Sequence, residues 1–313
     1  LPRIEAEIGR IGTAPYRGPG SKALGQSIEQ AFKKGCNVVI LQNHGVMVGG
    51  QSLKDALDKL EKLERLARIC TTAAQAGAAL TLPACAAVHD VQAEIEARPR
   101  FAPEEPDARE CDARAQVAAW ANRAYEMGHC TAFSGCFAVR VSGHSFIINP
   151  QRHDRQTLLP EDTVLISCGK IEAGKTPDRH VLLAEQVFSQ QPETIGFIAA
   201  APCGTMAFAV TDMAYQAAAS PESYGILEDL QALPYGAWQN DPADTAGRLT
   251  PRRPAVLVKN DCLLVTGTSV FNTFDCLEVC EFTAQTLLQA EALGGLMPLT
   301  EKERAELDKR TGR

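Results

Sequence analysis

Residues 38–53, VVILQNHGVMVGGQSL, decide the fold, because an apolar run reverses at a polar turn, returns as a second apolar run and then gives way to a helix. The β-branched residues and the glycines predict two short paired strands, and Ser52 predicts the start of the helix. His44 lies at the turn between the strands. This stretch alone leaves two interpretations open, a metal ligand or a histidine held by structural hydrogen bonds.

Composition narrows the class of protein. The 313 residues are 45% hydrophobic and 22% charged, which is typical of a soluble globular protein with room for two domains. No apolar run reaches the roughly 18 residues that a membrane span needs. The net charge of −7 lacks the basic excess with which nucleic-acid binders neutralise phosphates. We therefore expect a small molecule or a protein as the partner, with no nucleic acid and no membrane.

The cysteines and the N-terminal sequence help to predict the cellular compartment of the protein. The eleven cysteines are odd in number and form no C-x-x-C pair, which favours reduced thiols over a disulfide framework. Cys276 and Cys280 lie four residues apart on a predicted helix, a spacing that fits a core face or a metal pair, with core packing the commoner outcome. The N-terminal LPRIEAEIGRIG lacks the regions of a signal peptide. Together these features predict a cytoplasmic protein.

Hydrophobic periodicity gives the order of elements along the chain. Beyond the opening stretch it predicts helices over 22–34, 52–77, 112–127, 178–190, 208–218 and 269–293, and strands in FAVRV, SFIINP, TVLIS, 194–201 and 255–259. Strands interleaved with helices indicate an α/β layer structure. Residues 84–111 are rich in proline, alanine and alternating charge, which is typical of a linker. We therefore predict domains over 1–83 and 112–313.

The opening stretch occurs twice. VVILQNHGVMVGGQSL aligns without a gap onto AVLVKNDCLLVTGTSV at 255–270, and the offset of 217 residues continues into the helices that follow, where Glu64 matches Glu281. A period this long indicates a duplicated domain, because solenoid repeats are about 20–50 residues long. About a hundred fewer residues precede the first copy. We expect an incomplete first module, whether from a fragment, a truncated gene or a processed form, and its exposed sheet edge around 37–48 predicts oligomerisation.

These residues resemble a known family. The NHGV strand and turn, the following G-x-S-L and a helix with E-x-x-E resemble the C-terminal half of the class II aldolase/adducin family. Residues 1–83 resemble that half alone, and residues 112–300 resemble a whole module. The resemblance implies a three-layer α/β/α sandwich with a largely antiparallel central sheet, commonly assembled as a homo-oligomer with its sites between subunits.

The same resemblance implies an activity. Family enzymes are metal-dependent aldehyde-lyases or epimerases of small phosphorylated sugars, and they hold Zn²⁺ or a similar divalent ion with three histidines beside a glutamate. Such an ion stabilises the negative charge that retro-aldol cleavage leaves next to a carbonyl. His44 matches the last histidine, so it is the metal ligand we predict for a complete first module. The adducin members imply an alternative, a non-enzymatic assembly or interaction module.

The second copy departs from the family pattern at its functional positions. It has Ala199 and Ala201 in place of His-x-His, His180 in place of the glutamate, Asp261 in place of the last histidine and Gly135-Cys136-Phe137-Ala138 in place of the phosphate-contacting G-N-I-S. Alanine cannot bind a metal ion, and the last replacement removes polar groups that face a phosphate. We therefore expect no metal in the second module and little or no activity from this chain.

Two sets of side chains leave a choice open. The first set lies at or next to the positions of the family's metal ligands. It predicts either a repurposed metal site or, as the commoner outcome, a packed pocket without an ion. It comprises His180, Cys203, Asp261 and Cys262. The second set predicts either an anion-binding patch or an ordinary solvated loop; it comprises Arg140, Arg152, His153 and Arg155.

Overall fold

A computed structural model describes residues 2–83 and 88–311, and the chain divides into two compact units, residues 1–68 and 69–313. The first unit contains α1 (Pro2–Ile8), β1 (Ile11–Ala14), α2 (Lys22–Lys33), β2 (Val38–Leu41) and β3 (Gly45–Val48), and α3 (Leu53–Gln75) continues past residue 68. Its three strands lie in the order β1-β2-β3, with β1 parallel to β2 and β2 antiparallel to β3. The strand pair predicted around His44 is therefore confirmed.

The second unit is built on one large sheet. Its strands are β4 (Arg100–Phe101), β5 (Cys136–Ser142), β6 (Ser145–Ile148), β7 (Val164–Ser167), β8 (Lys170–Glu172), β9 (Gly196–Ala200), β10 (Gln231–Leu233), β11 (Ala255–Val258) and β12 (Cys262–Gly267). Among the described residues they form a nine-stranded sheet in the order β10-β11-β12-β9-β5-β6-β7-β8-β4. Only the two outermost pairs, β10 with β11 and β4 with β8, are parallel. The largely antiparallel central sheet is thus confirmed, with mixed orientation at its edges.

Helices cover both faces of this sheet. They are α4 (Val91–Ala97), α5 (Ala108–Glu126), α6 (Val181–Gln190), α7 (Cys203–Ala209), α8 (Pro221–Leu227), α9 (Ala237–Asn240), α10 (Pro242–Arg248), α11 (Val270–Ala292) and α12 (Glu301–Thr311). Because side chains alternate across a sheet, Cys136 and Ala199 share one face and pack in a core with α6. On the other face, α5 and α11 approach the strands so closely that a Cβ on Gly196 would lie 2.6 Å from Trp120 and 2.4 Å from Thr273. The unit is a three-layer α/β/α sandwich.

Two sequence predictions differ from the structure within the second unit. Residues 88–111 of the predicted linker contain α4, whose Ile95 is fully buried in the core, and β4, which pairs with β8. The helix predicted over 208–218 is wrong, since α7 ends at Ala209 and the chain continues without helix to the short 3₁₀ turn at Ala217–Ala219. Instead, α7 starts upstream at Cys203, where the Glu281 carboxylate, 77 residues away, accepts the amide N–H groups of Gly204 and Thr205, both at 2.8 Å.

The two copies of the opening stretch adopt the same turn. Val39 pairs with Met47 in the first unit, and Val256 pairs with Leu264 in the second, at the common offset of 217 residues. The asparagine that precedes His44 and Asp261 has a left-handed backbone in both copies, with φ of 55° and 59°. The turn geometry is therefore independent of whether histidine or aspartate follows the asparagine.

A glycine at the end of each second strand is required because the helix backbone approaches it closely. A Cβ on Gly50 would lie 2.7 Å from the backbone nitrogen of Ala56, and a Cβ on Gly267 would lie 2.7 Å from that of Thr273. In both units the strand thus runs directly beneath the first turn of the long helix, α3 or α11. None of the helices in the two described ranges is both long and apolar enough to cross a membrane.

The matched glutamates of α3 and α11 differ in environment and give the first test. Glu281 is buried and also accepts the Thr205 hydroxyl at 2.9 Å, whereas Glu64 is exposed and pairs only locally with Arg68. We expect Glu281→Ala to lower the free energy of unfolding, measured by urea titration, by about 2–4 kcal/mol, because it leaves buried N–H donors without acceptors. Glu64→Ala is the matched control and should change it by less than about 0.5 kcal/mol. Equal effects of the two substitutions would contradict this account of α7.

Candidate functional site

The replaced functional positions of the second unit lie around one end of the sheet face that packs on α6. Cys136 begins β5, Asp178 and His180 immediately precede α6, and Asp261 immediately precedes β12. Their side chains are nearly fully buried and are joined by hydrogen bonds and ring contacts. The sequence-predicted positions therefore do form one site, and its interior is polar.

Asp178 is the centre of this site. One carboxylate oxygen accepts the backbone N–H of His180 at 3.0 Å and its ring Nδ1–H at 2.7 Å, and the Cys136 sulfur lies within 4.8 Å of the carboxylate. The other oxygen faces the Arg155 guanidinium at 3.6 Å. Burial alone would raise the pKa of the Asp178 carboxyl, but the hydrogen bonds from His180 and the charge of Arg155 outweigh burial and hold the pKa well below its usual range.

Arg155 is a fully buried cation. Its guanidinium donates to the carbonyl oxygens of Gly135 at 3.0 and 3.2 Å, Pro150 at 3.1 Å and His153 at 2.6 Å. Burial lowers the pKa of this side chain, and the Asp178 charge opposes the shift. The sequence left open whether Arg155 belongs to an anion-binding patch or to a solvated loop, and neither is correct. Its guanidinium is buried, and internal acceptors already occupy its N–H donors.

His180 is held in one orientation with one nitrogen unused. Its ring lies against Trp238 with a centroid separation of 4.4 Å, and its Nε2 atom is buried without a hydrogen-bond partner. Burial and the Arg179 charge lower the pKa of His180, although Asp178 opposes them, so the imidazole is neutral at pH 7 with its proton on Nδ1. A buried acceptor left without a donor costs about 1–3 kcal/mol.

Asp261 occupies the position of His44 but has a structural role. Its carboxylate accepts Arg179 at 2.9 Å, the Trp238 indole N–H at 2.7 Å and Gln239 at 3.2 Å, and its side chain is 5% exposed. Arg179 also lies over the Trp238 ring at 4.7 Å. The aspartate thus ties the β11–β12 turn to the segments that precede α6 and form α9.

One group of donor atoms in the described parts of the chain could hold a metal ion. It consists of Cys136, Asp178 and His180, whose ligand atoms all lie within 4.8 Å of one another. Of the four residues that the sequence offered for a repurposed site, only His180 belongs to this group, and Asp261 is engaged with Arg179 instead. Sequence reasoning missed Cys136 as a donor, although its place within the altered G-N-I-S position marked it as a site residue.

His44 has different surroundings. It is exposed at the β2–β3 turn, and it is not part of the three-donor group found within residues 2–83 and 88–311. Its backbone N–H donates to the Leu41 carbonyl at 3.1 Å, as that of Asp261 donates to Val258. As a metal ligand, His44 therefore stays a prediction.

Comparison of this chain with models of protein families shows the family to which it belongs. Residues 3–71 and 115–288 match the family described as Class II Aldolase and Adducin N-terminal domain. The chain belongs to the class II aldolase/adducin family. A comparison with curated protein sequences finds no match.

Solved structures share the class II aldolase fold. YgbL of Klebsiella pneumoniae is 19% identical with a TM-score of 0.58, over 63% of this chain and 98% of that protein. L-fuculose 1-phosphate aldolase of Glaciozyma antarctica is 18% identical with a TM-score of 0.55, over 67% of this chain and 86% of the enzyme. An aldolase II superfamily protein of Pseudomonas syringae is 15% identical with a TM-score of 0.57, over 66% and 87%. At these identities the likeness establishes the fold.

The residues of the second unit do not fit the three-histidine metal site of class II aldolases. Ala199 and Ala201 offer only methyl groups, and the Asp261 carboxylate already accepts a guanidinium and two other donors. An ion bound in the family's manner would have to displace Arg179 from a nearly buried ion pair. No step of a metal-assisted reaction can therefore be assigned to these positions.

The ion pair of Asp261 gives a second test. We expect Asp261→Ala to lower the free energy of unfolding by about 3–5 kcal/mol, because it leaves Arg179 as an uncompensated, mostly buried charge. Asp244→Ala is the matched control, since it removes an aspartate from an exposed arginine pair, and it should cost less than about 0.5 kcal/mol. The measurement is equilibrium denaturation of each purified variant, and a small loss for Asp261→Ala would show that the pair does not stabilise the fold.

The burial of neutral His180 predicts a pH dependence. The unfolded chain binds a proton at this histidine below about pH 6.5, whereas the lowered pKa shifts protonation of the folded chain to more acidic pH, so stability falls as the pH decreases. The Asp178 contribution stays constant between pH 7 and 5, because its lowered pKa places its loss at more acidic pH. We expect His180→Gln to lose less stability than the native chain over this range, because it lacks the proton uptake of this histidine on unfolding.

Denaturation at a series of pH values checks this expectation. An unchanged slope in His180→Gln would mean that His180 is protonated in the folded state.

Proposed function

We propose that residues 112–313 are a class II aldolase module that has lost metal-dependent catalysis and retains the fold. The observation that carries this proposal is the Asp261 carboxylate, which is closed off by Arg179, Trp238 and Gln239 at the position of a metal-binding histidine. The parent reaction is aldehyde-lyase or epimerase chemistry on a small phosphorylated sugar, by analogy with the L-fuculose 1-phosphate aldolase that shares the fold.

The phosphate side of the site supports the same proposal. At the G-N-I-S position, the Cys136 sulfur lies within 4.8 Å of the Asp178 carboxylate, and the Gly135 carbonyl accepts the Arg155 guanidinium. A sugar phosphate would therefore meet a buried carboxylate and an arginine that is already saturated. Two separate requirements of the parent reaction, the metal and the phosphate contacts, are missing from the same unit.

A tandem arrangement supports an ancestry from an active enzyme. The family matches two separate stretches, 3–71 and 115–288, and β1-β2-β3 repeats the parallel and antiparallel pairing of β10-β11-β12. In this proposal residues 1–83 correspond to the C-terminal half of a first module, residues 84–111 connect it to a second module at 112–313, and His44 is its divalent-metal ligand. The cytoplasmic location stays a prediction.

The direct test is an aldolase assay on the purified 313-residue chain. We expect no cleavage of L-fuculose 1-phosphate with added Zn²⁺, Co²⁺ or Mn²⁺ under conditions in which the Glaciozyma antarctica enzyme turns over. Cleavage abolished by His180→Gln would overturn the proposal, because it would assign the activity to the second unit. Cleavage abolished by His44→Ala would instead assign it to the first unit and would overturn the expected inactivity of the chain.

One observation favours a second function, assembly through the first unit. Ile40, Val46 and Met47 on β2 and β3 are 42%, 36% and 44% exposed, and the outer edge of β3 is unpaired within the described residues, whereas the corresponding β12 pairs with β9. An exposed apolar strand edge favours pairing with another chain. We therefore propose that copies of this chain associate through β3, as a homo-oligomer.

Light scattering tests the assembly proposal. We expect an oligomer for the native chain and dissociation by the double substitution Val46→Glu and Met47→Lys, because charged residues at an edge oppose strand pairing. The matched control is Leu80→Lys, which changes a half-exposed leucine in the second unit and should leave the mass unchanged. A monomeric native chain would contradict the proposal.

A further inference from the structure

We propose that a cleft between α8, α11 and the loop before β11 binds a small organic cation, a protonated amine carried on a short apolar chain or ring. The cleft has a volume of about 280 Å³, and every residue that lines it belongs to the second unit. This volume lies close to the range of about 300–1,000 Å³ that is common for small-molecule sites.

The cleft is separate from the candidate functional site. Thr194 precedes β9 and Gly267 ends β12, and both line the cleft, whereas Ala199 and Asp261 lie at the other ends of the same two strands. Because β9 is five residues long and a strand rises about 3.3 Å per residue, about 16 Å separates the two places. The inference therefore goes beyond the proposed function, and sugar-phosphate cleavage by the chain would leave it unaffected.

Asp275 gives the cleft its negative charge. It is half-buried in α11, and it is the one charged residue among the described residues that line the cleft. Within residues 2–83 and 88–311 its carboxylate has no hydrogen bond or ion pair, whereas the other buried or half-buried carboxylates, such as Asp178 and Asp261, each have at least one. The nearby Arg253 pairs with Glu228 at 4.0 Å. A partly desolvated carboxylate without an internal partner favours a cation from outside the chain.

The neutral groups beside Asp275 favour an ammonium group over a metal ion. Asn272 precedes Asp275 by three residues, which places the two on the same side of α11, and Thr268 follows the end of β12. The carboxylate, the Asn272 amide oxygen and the Thr268 hydroxyl oxygen are three acceptors, and an ammonium group has three donors. One carboxylate is too few for a divalent metal ion, which takes roughly six or more oxygen ligands.

The remaining surface of the cleft favours a ligand with an apolar body. Ile226 of α8 and Pro251 and Pro254 of the loop before β11 line the cleft. Ile226 is half-buried and Pro251 is exposed, so both have apolar surface that a ligand can cover. Each Å² of apolar surface removed from water contributes about 25 cal/mol, which an inorganic ion cannot use.

The experiment titrates the native 313-residue chain with 2-phenylethylamine and with 2-phenylethanol, its neutral counterpart, and follows binding by saturation-transfer NMR. We expect saturable binding of the amine with a dissociation constant of about 1 mM, which is typical of so small a ligand. The alcohol should bind at least about tenfold more weakly, because it brings no charge to Asp275.

Two variants of α11 locate the binding. Asp275→Asn should weaken binding of the amine about tenfold or more, because it removes the charge and keeps the shape of the side chain. Asn272→Asp should tighten binding about threefold, because it adds a second carboxylate in the first turn of the helix, where an acidic residue is favourable. This gain of affinity cannot arise from a loss of fold.

The matched control is Asp244→Asn, which changes an exposed aspartate of the same unit and should leave the dissociation constant unchanged. Equal binding of the amine and the alcohol, or equal binding of the amine to the native chain and to Asp275→Asn, would overturn the inference. An absence of saturable amine binding to both the native chain and Asn272→Asp would overturn it as well.

Discussion

A buried carboxylate keeps its charge only if positive charge and hydrogen-bond donors surround it, and this constraint on Asp178 organises the site. Arg155 supplies the charge, while the backbone N–H and the ring of His180 supply the donors. Because Arg155 also binds three backbone carbonyls, the same contact joins the loops around Gly135 and Pro150 to the segment before α6. The ion pair between Arg155 and Asp178 thus holds these loops and the segment before α6 in position around the site.

A second internal pair explains how the family fold persists without the histidines of the family. The turn after Asn43 and after Asn260 has the same backbone, yet His44 is exposed and Asp261 is buried against Arg179 and Trp238. The turn belongs to the fold, and the residue that follows it is free to ligate a metal or to anchor the structure. Asp261 joins this turn to Arg179 before α6 and to Trp238 in α9.

The sequence was sufficient for local structure and for positions that a motif marks. The β2–β3 turn, its counterpart before Asp261 and the long helices followed from apolar patterning, and the repeat placed the altered site residues. What failed depended on contacts distant in sequence. Glu281 sets the start of α7 from 77 residues away, and α4 is ordered by burying Ile95 in the core of the sheet. The burial of Arg155 could not be predicted either, because the sequence around it does not show that backbone carbonyl oxygens surround its guanidinium.

The state of the His180 ring reports directly on this account. Asp178 is charged and fixed by Arg155, so the ring should be neutral and carry its proton on Nδ1, toward Asp178. Nitrogen-15 NMR of the metal-free chain at pH 7 distinguishes the three forms of the ring. The account predicts the Nδ1–H tautomer, and an imidazolium or the Nε2–H tautomer would contradict it.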